Sequence, residues 1–155
     1  MEVATQKFDL RNMQQLDTLR FNLNISCFEP TDTGKFGGMI SFLEVCDLPP
    51  NFGTLQIDVT LHNCWWQQHQ NRLFMGEDEK WFILADTLAL PRFSATRKIK
   101  VNFHVIFQFQ SAMFKGNAQA TKNQVRQLLQ MWFSDVVDDY RFEFQVEVSA
   151  IDQSR

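Results

Sequence analysis

Apolar and polar positions alternate along much of this chain. In Leu55-Gln56-Ile57-Asp58-Val59-Thr60-Leu61 every odd position is apolar and every even one polar. A period of two marks a strand with one face buried and one face wet. Leu19 to Ile25 alternates in the same way. So does Lys98 to Phe109, where Ile99, Val101, Phe103, Val105, Phe107 and Phe109 share a face. Its other face carries Lys100, Asn102, His104 and Gln108, interrupted by Ile106.

Weaker runs fill the gaps. Lys7 to Met13, Met39 to Val45, Arg72 to Met75, Asp135 to Val137 and Arg141 to Val148 read as further strands. Pro49-Pro50-Asn51-Phe52-Gly53 has turn chemistry, with fixed and left-handed backbone angles, so Met39–Val45 and Thr54–Leu61 are expected to pair antiparallel across it. Pro30 to Gly34 reads as a loop, Gly76 to Glu79 as an acidic turn, Trp81 to Leu84 as a brief apolar run, and Lys115 to Lys122 as a linker. The one expected helix is Asn123 to Phe133, with Val125, Leu128, Leu129 and Trp132 on one face. Too short to be stable alone, it must dock on its own domain or on a partner. No internal repeat is evident. Many short strands with little helix before residue 120 predict an all-β, antiparallel β-sandwich over residues 1–112. Residues 113–155 follow as an extension of linker, helix and two strands.

Composition narrows the function. The 155 residues suit one domain with an aromatic-rich core, since 16 are Phe. A formal net charge of -3 gives no footprint for nucleic acid or an anionic membrane. Cys27, Cys46 and Cys64 are an odd number without C-x-x-C spacing and read as reduced structural thiols. Neither a basic-apolar leader nor a membrane-length apolar run is seen, so the expected compartment is cytoplasmic or nuclear. The Asn24-Ile25-Ser26 sequon then carries no meaning.

Reaction chemistry has little to stand on. No G-x-S-x-G, H-E-x-x-H, P-loop or G-x-G-x-x-G motif occurs. His62, Cys64 and His69 are close in sequence, but their spacing matches no zinc pattern. Gly37-Gly38 is not expected to open a helix, so it makes no phosphate cradle. The scattered aspartates read as solvated. The expectation is a chain that is not an enzyme, with no cofactor and no metal. In the Trp65-Trp66 pair, one ring is expected in the core and one outside.

The order of these blocks resembles the MATH (TRAF-like) family, in a divergent form. Phe8-Asp9-Leu10-Arg11-Asn12-Met13 is similar to its opening W-x-I-x-N-F strand, with Phe8 for the tryptophan. Phe21 to Ile25, then Pro30 and Gly34, resemble W-x-L-x-V…P-x-G. Ile40 to Leu43 and Ile57 to Leu61 with Asn63 resemble the next strand pair. Arg72-Leu73-Phe74, Trp81-Phe82-Ile83 and the strand to Phe107 resemble the close. The glycine between Trp81 and Phe82 is missing. In the tail, Leu128-Leu129, Phe133 to Val136 and Phe144 to Val146 faintly resemble a BTB opening. The resemblance implies a groove that takes an extended partner peptide, formed by Phe42, Ile57, Arg72, Trp81 and Phe82, and substrate recruitment for cullin-type ubiquitin ligation. Periodicity alone leaves Phe42, Ile57 and Phe82 open to a core role. Trp66 and Trp132 are second candidate contacts, and assembly through the C-terminal helix and strands is the alternative function.

Overall fold

The structure, a computed structural model, describes residues 8–28, 34–67, 69–70, 72–109 and 118–152. Its elements run β1 (Phe8–Asp9), β2 (Thr18–Ser26), α1 (Gly34–Val45), β3 (Cys46–Asp47), β4 (Thr54–Gln67), β5 (Arg72–Phe74) and α2 (Asp78–Leu88). A 3-10 turn at Pro91–Phe93, β6 (Lys98–Phe109), α3 (Ala118–Trp132), α4 (Ser134–Val137) and β7 (Phe142–Asp152) complete them.

The expected antiparallel sandwich is not what forms. The main sheet has the order β2-β4-β6-β7, and every neighbouring pair in it is parallel. Only β5 runs antiparallel, folding back on the end of β4. β1 and β3 make a separate, two-residue parallel pair, so the strand expected at Lys7–Met13 shrinks to Phe8–Asp9 among the described residues. Parallel neighbours need a long crossover connection. Here α1, α2 and α3 supply the crossovers, and the protein is mixed α/β. Along the chain, the four strands of the main sheet are laid side by side in the order β2, β4, β6, β7. α1 touches α2, and α2 touches α3, so the helices form one layer on one face of the sheet.

The helix layer explains the misread segments. Met39–Val45 is the second half of α1, not a strand. Its buried Phe36, Met39, Ile40 and Leu43 fall at i, i+3, i+4 and i+7. The run at Trp81–Leu84 is part of α2, where Trp81, Leu84, Ala85 and Leu88 repeat that spacing. α3 begins five residues before the expected helix and takes in much of the supposed linker; residues 115–117 and the loop at 30–33 lie outside the described residues. The expected strand at Asp135–Val137 is α4. These helices bury their apolar stripes against the odd-numbered residues of β2, β4 and β6, in one continuous core. The segment after residue 112 contributes β7, which pairs with β6 from Ile99↔Phe142 to Phe109↔Asp152.

The Pro49–Gly53 turn does form, with Asn51 at φ 57, but it leads out of the helix layer into β4. Around Gly53 three segments meet: Thr54 N–H donates to Asp17 O at 2.8 Å, and Lys98 N–H donates to Gly53 O at 2.9 Å. A Cβ on Gly53 would sit 2.6 Å from the Asp17 carbonyl oxygen. Gly53→Ala is therefore expected to cost about 1–3 kcal/mol by overpacking. Urea unfolding measures it; an unchanged midpoint would mean that Asp17 moves aside freely.

Candidate functional site

Among the described residues, no helix lies over one face of the parallel sheet. Because side chains alternate along a strand, the polar positions of all four strands point to this side. The register aligns them in three rows: Arg20, Gln56, Lys100 and Glu143; Asn22, Asp58, Asn102 and Gln145; Asn24, Thr60, His104 and Glu147. Residues of these rows line a concavity of about 530 Å³, with Arg126 of α3 also in its wall.

Asp58 is the hub. Arg20 Nε donates to it at 2.5 Å, Asn102 Nδ2 at 2.7 Å and Gln56 Nε2 at 3.1 Å. Burial works to raise its carboxyl pKa. Hydrogen bonds from Asn102, Arg20 and Gln56, with the charge of Arg20, outweigh that and hold it below the ordinary carboxylate value. In the first row Lys98 and Lys100 meet Glu143 at 2.8 and 3.8 Å. His104 of the third row shares a hydrogen bond of 2.8 Å, through its Nε2, with Oγ of Ser149, which is aligned with Ile106. A nucleophile and a base are thus in reach, but acyl transfer also needs a group to orient the base. No described hydrogen bond gives this imidazole one.

At the C-terminal ends of the strands the same face turns aromatic. Trp65 lies opposite Gln108 of β6 and Phe74 of β5, so it points to the open side. Its ring stacks on Phe28 at 4.8 Å and packs against Phe74 at 4.0 Å. Phe28 is 70% exposed, and Ile151, aligned with Gln108, is 50% exposed. Polar rows with an aromatic border are suited to holding a ligand by many hydrogen bonds and one apolar anchor.

The residues expected to form a peptide groove do not come together. Ile57 and Trp81 are fully buried in the core. Phe42 packs from α1 against Phe21 at 5.7 Å. Phe82 stands exposed on the outer side of α2. Arg72, on β5, makes an ion pair with Asp78 at 3.7 Å. Trp132 is buried and stacks on Trp81, and Trp66 is half-buried and aligned with the core residue Leu73. Cys64 contacts Cys27, not the histidines near it, and among the described residues no group of three His, Cys, Asp or Glu is placed to hold a metal.

Sequence reasoning missed the polar rows as a site. Their signal is there: an apolar-polar-apolar-polar-apolar pentad recurs at Phe21, Ile57, Val101 and Phe144, about every 40 residues, within the range of repeat architectures. Among the described residues no helix is long and apolar enough to cross a membrane. Comparison with protein families, curated proteins and solved structures finds no match for the chain.

Proposed function

We propose that this chain is a non-catalytic protein-binding module that holds an extended segment of a partner protein on the open face of its sheet. One observation carries the reading. Parallel sheets are almost always covered on both faces, yet among the described residues four parallel strands leave one face uncovered and fill it with aligned polar side chains. Solenoids that lay down one strand per unit use such a surface for recognition.

The chemistry of the face favours a polypeptide. Arg20, Lys98 and Lys100 are balanced by Asp58, Glu143 and Glu147, and several of these are already paired to each other. Apart from Arg126 and His104, what remains is amide and hydroxyl: Asn22, Asn24, Gln56, Thr60, Asn102 and Gln145. These groups match the donors and acceptors of a peptide backbone, and Trp65 with Phe28 gives one apolar side chain a place to dock. Recruitment for cullin-type ligation inside the cell is the narrower form of this proposal, and co-purification of a cullin tests it.

The experiment is affinity capture with the wild type, followed by titration of the captured partner against Asn24→Arg and Gln145→Arg. Both positions are exposed, so each variant is expected to melt like the wild type. Each is expected to weaken binding about tenfold or more through a misplaced charge. Binding unchanged by both, but lost on Phe82→Ala, would move the site to the helix face and end this reading.

A further inference from the structure

Parallel pairing brings together two cysteines that lie 37 positions apart. Cys27 directly follows β2 and Cys64 lies in the neighbouring strand β4, with their sulfurs 2.7 Å apart. The Cys27 N–H donates to His62 O at 3.0 Å, fixing the strand ends side by side. Asn63, at φ 60, marks the irregularity that shifts the register and sets Cys64 opposite the core residue Phe107. Neighbouring strands lie roughly 4.8 Å apart, inside the roughly 4.4–6.8 Å Cα separation that a disulfide spans. Cys46 stands apart, with its sulfur at 3.7 Å from Leu43 O.

We propose that Cys27 and Cys64 are a redox-active dithiol that a low-molecular-weight disulfide converts to an intramolecular disulfide, tying β2 to β4 beneath the Phe28–Trp65 stack. One protein thiolate attacks the small disulfide and releases one small thiol, leaving a mixed disulfide. The second protein thiolate then attacks the mixed disulfide at the protein sulfur, forming the Cys27–Cys64 bond and releasing the other small thiol. Two protons leave the protein thiols, and the two electrons end on the small thiols. The Cys27 sulfur beside it and its burial push the Cys64 thiol pKa far up, so the exchange on native protein is slow.

The test incubates the full chain with oxidised glutathione, then alkylates it under denaturing conditions without reductant. Peptide mass mapping is expected to show a Cys27–Cys64 linked pair with Cys46 alkylated as a free thiol. The oxidised chain is expected to melt roughly 5–15 °C higher, a gain that reductant removes. Cys64→Ala and Cys27→Ala should each abolish both the link and the gain. Should one variant fail to fold, the mapping of the wild type stands alone. Three alkylated cysteines after oxidation, a bridge that includes Cys46, or glutathione left on Cys27 without closure would each overturn the proposal.

Discussion

Trp81→Ala is expected to destabilise the protein by about 3–5 kcal/mol, a large share of the roughly 5–15 kcal/mol that holds a domain folded. Trp81 is wholly buried where the helix layer meets the sheet. Its ring meets Phe36 of α1 at 5.7 Å and Phe103 of β6 at 5.2 Å, and stacks on Trp132 of α3 at 6.3 Å. One side chain of α2 thus touches both neighbouring helices and a central strand. Its Nε1 also donates to Met75 O at 3.3 Å, an acceptor that alanine would leave unserved. The cavity would open at this junction, where no single element can relax to fill it. Phe82→Ala, one position along on the exposed side of the helix, is expected to change stability by no more than about 0.5 kcal/mol. Urea unfolding of the two variants makes the comparison. If Trp81→Ala unfolds at the wild-type midpoint, the helices do not sit on the sheet as described. The same experiment bears on the expected groove, because an anchor for a peptide would lose binding and keep stability.

The long strands were legible and their direction was not. Lys98–Phe109 is a strand over the same residues in sequence and structure, and Leu19–Ile25 gains one residue at each end. Alternation reports that one face is wet. That condition usually goes with antiparallel sheets, because parallel ones are covered on both sides and read as continuous apolar runs. This sheet is parallel with an open face, so its pattern points the wrong way. The connections held the answer. A window from Met39 to Val45 fits a period of two nearly as well as 3.6; adding Phe36 decides for the helix. At α2, Asp78 and Glu79 looked like an acidic turn but lie in the first helical turn, where negative charge favours the helix dipole. Once Met39–Val45 is read as a strand, and α2 as a turn with a brief apolar run, the long crossovers disappear and the sheet becomes antiparallel. The polar face escaped sequence reasoning for the same reason. Asn22, Asp58, Asn102 and Gln145 were each legible as wet positions, but only parallel register sets them in one row. Cys27 and Cys64 meet through that register too.

Arg141→Ala is expected to cost about 3 kcal/mol at pH 7, through the loss of several charge-assisted hydrogen bonds at once. Arg141 clamps the start of β7 to the turn that precedes β6. Its Nη1 donates to Phe93 O at 2.9 Å, Ser94 O at 2.7 Å and Thr96 O at 2.8 Å. Its Nη2 donates to Asp139 Oδ2 at 2.6 Å, and Nε to Asp139 Oδ1 at 3.0 Å. Its own carbonyl accepts from Ile99 N–H at 2.9 Å, so the clamp sets where β7 begins to pair. Arg141→Lys should recover less than half of the loss, because one ammonium cannot fork to a carboxylate and still reach three carbonyls. Acid separates the two parts of the clamp. Hydrogen bonds from the Arg141 side chain and backbone hold the Asp139 carboxyl below its ordinary value. Its folded pKa is therefore lower than its unfolded one, near 3.9. The stability it adds is fully present above that pH and is lost as the pH falls through the folded value. In Arg141→Ala the side-chain part of this contribution is already gone. The gap in urea midpoint between wild type and variant should thus be wide at pH 7 and narrower near pH 2. It should not close, since the three carbonyl bonds do not titrate. A gap that stays constant with pH would assign the whole clamp to the carbonyls, and no gap at pH 7 would mean that β7 finds its register without Arg141.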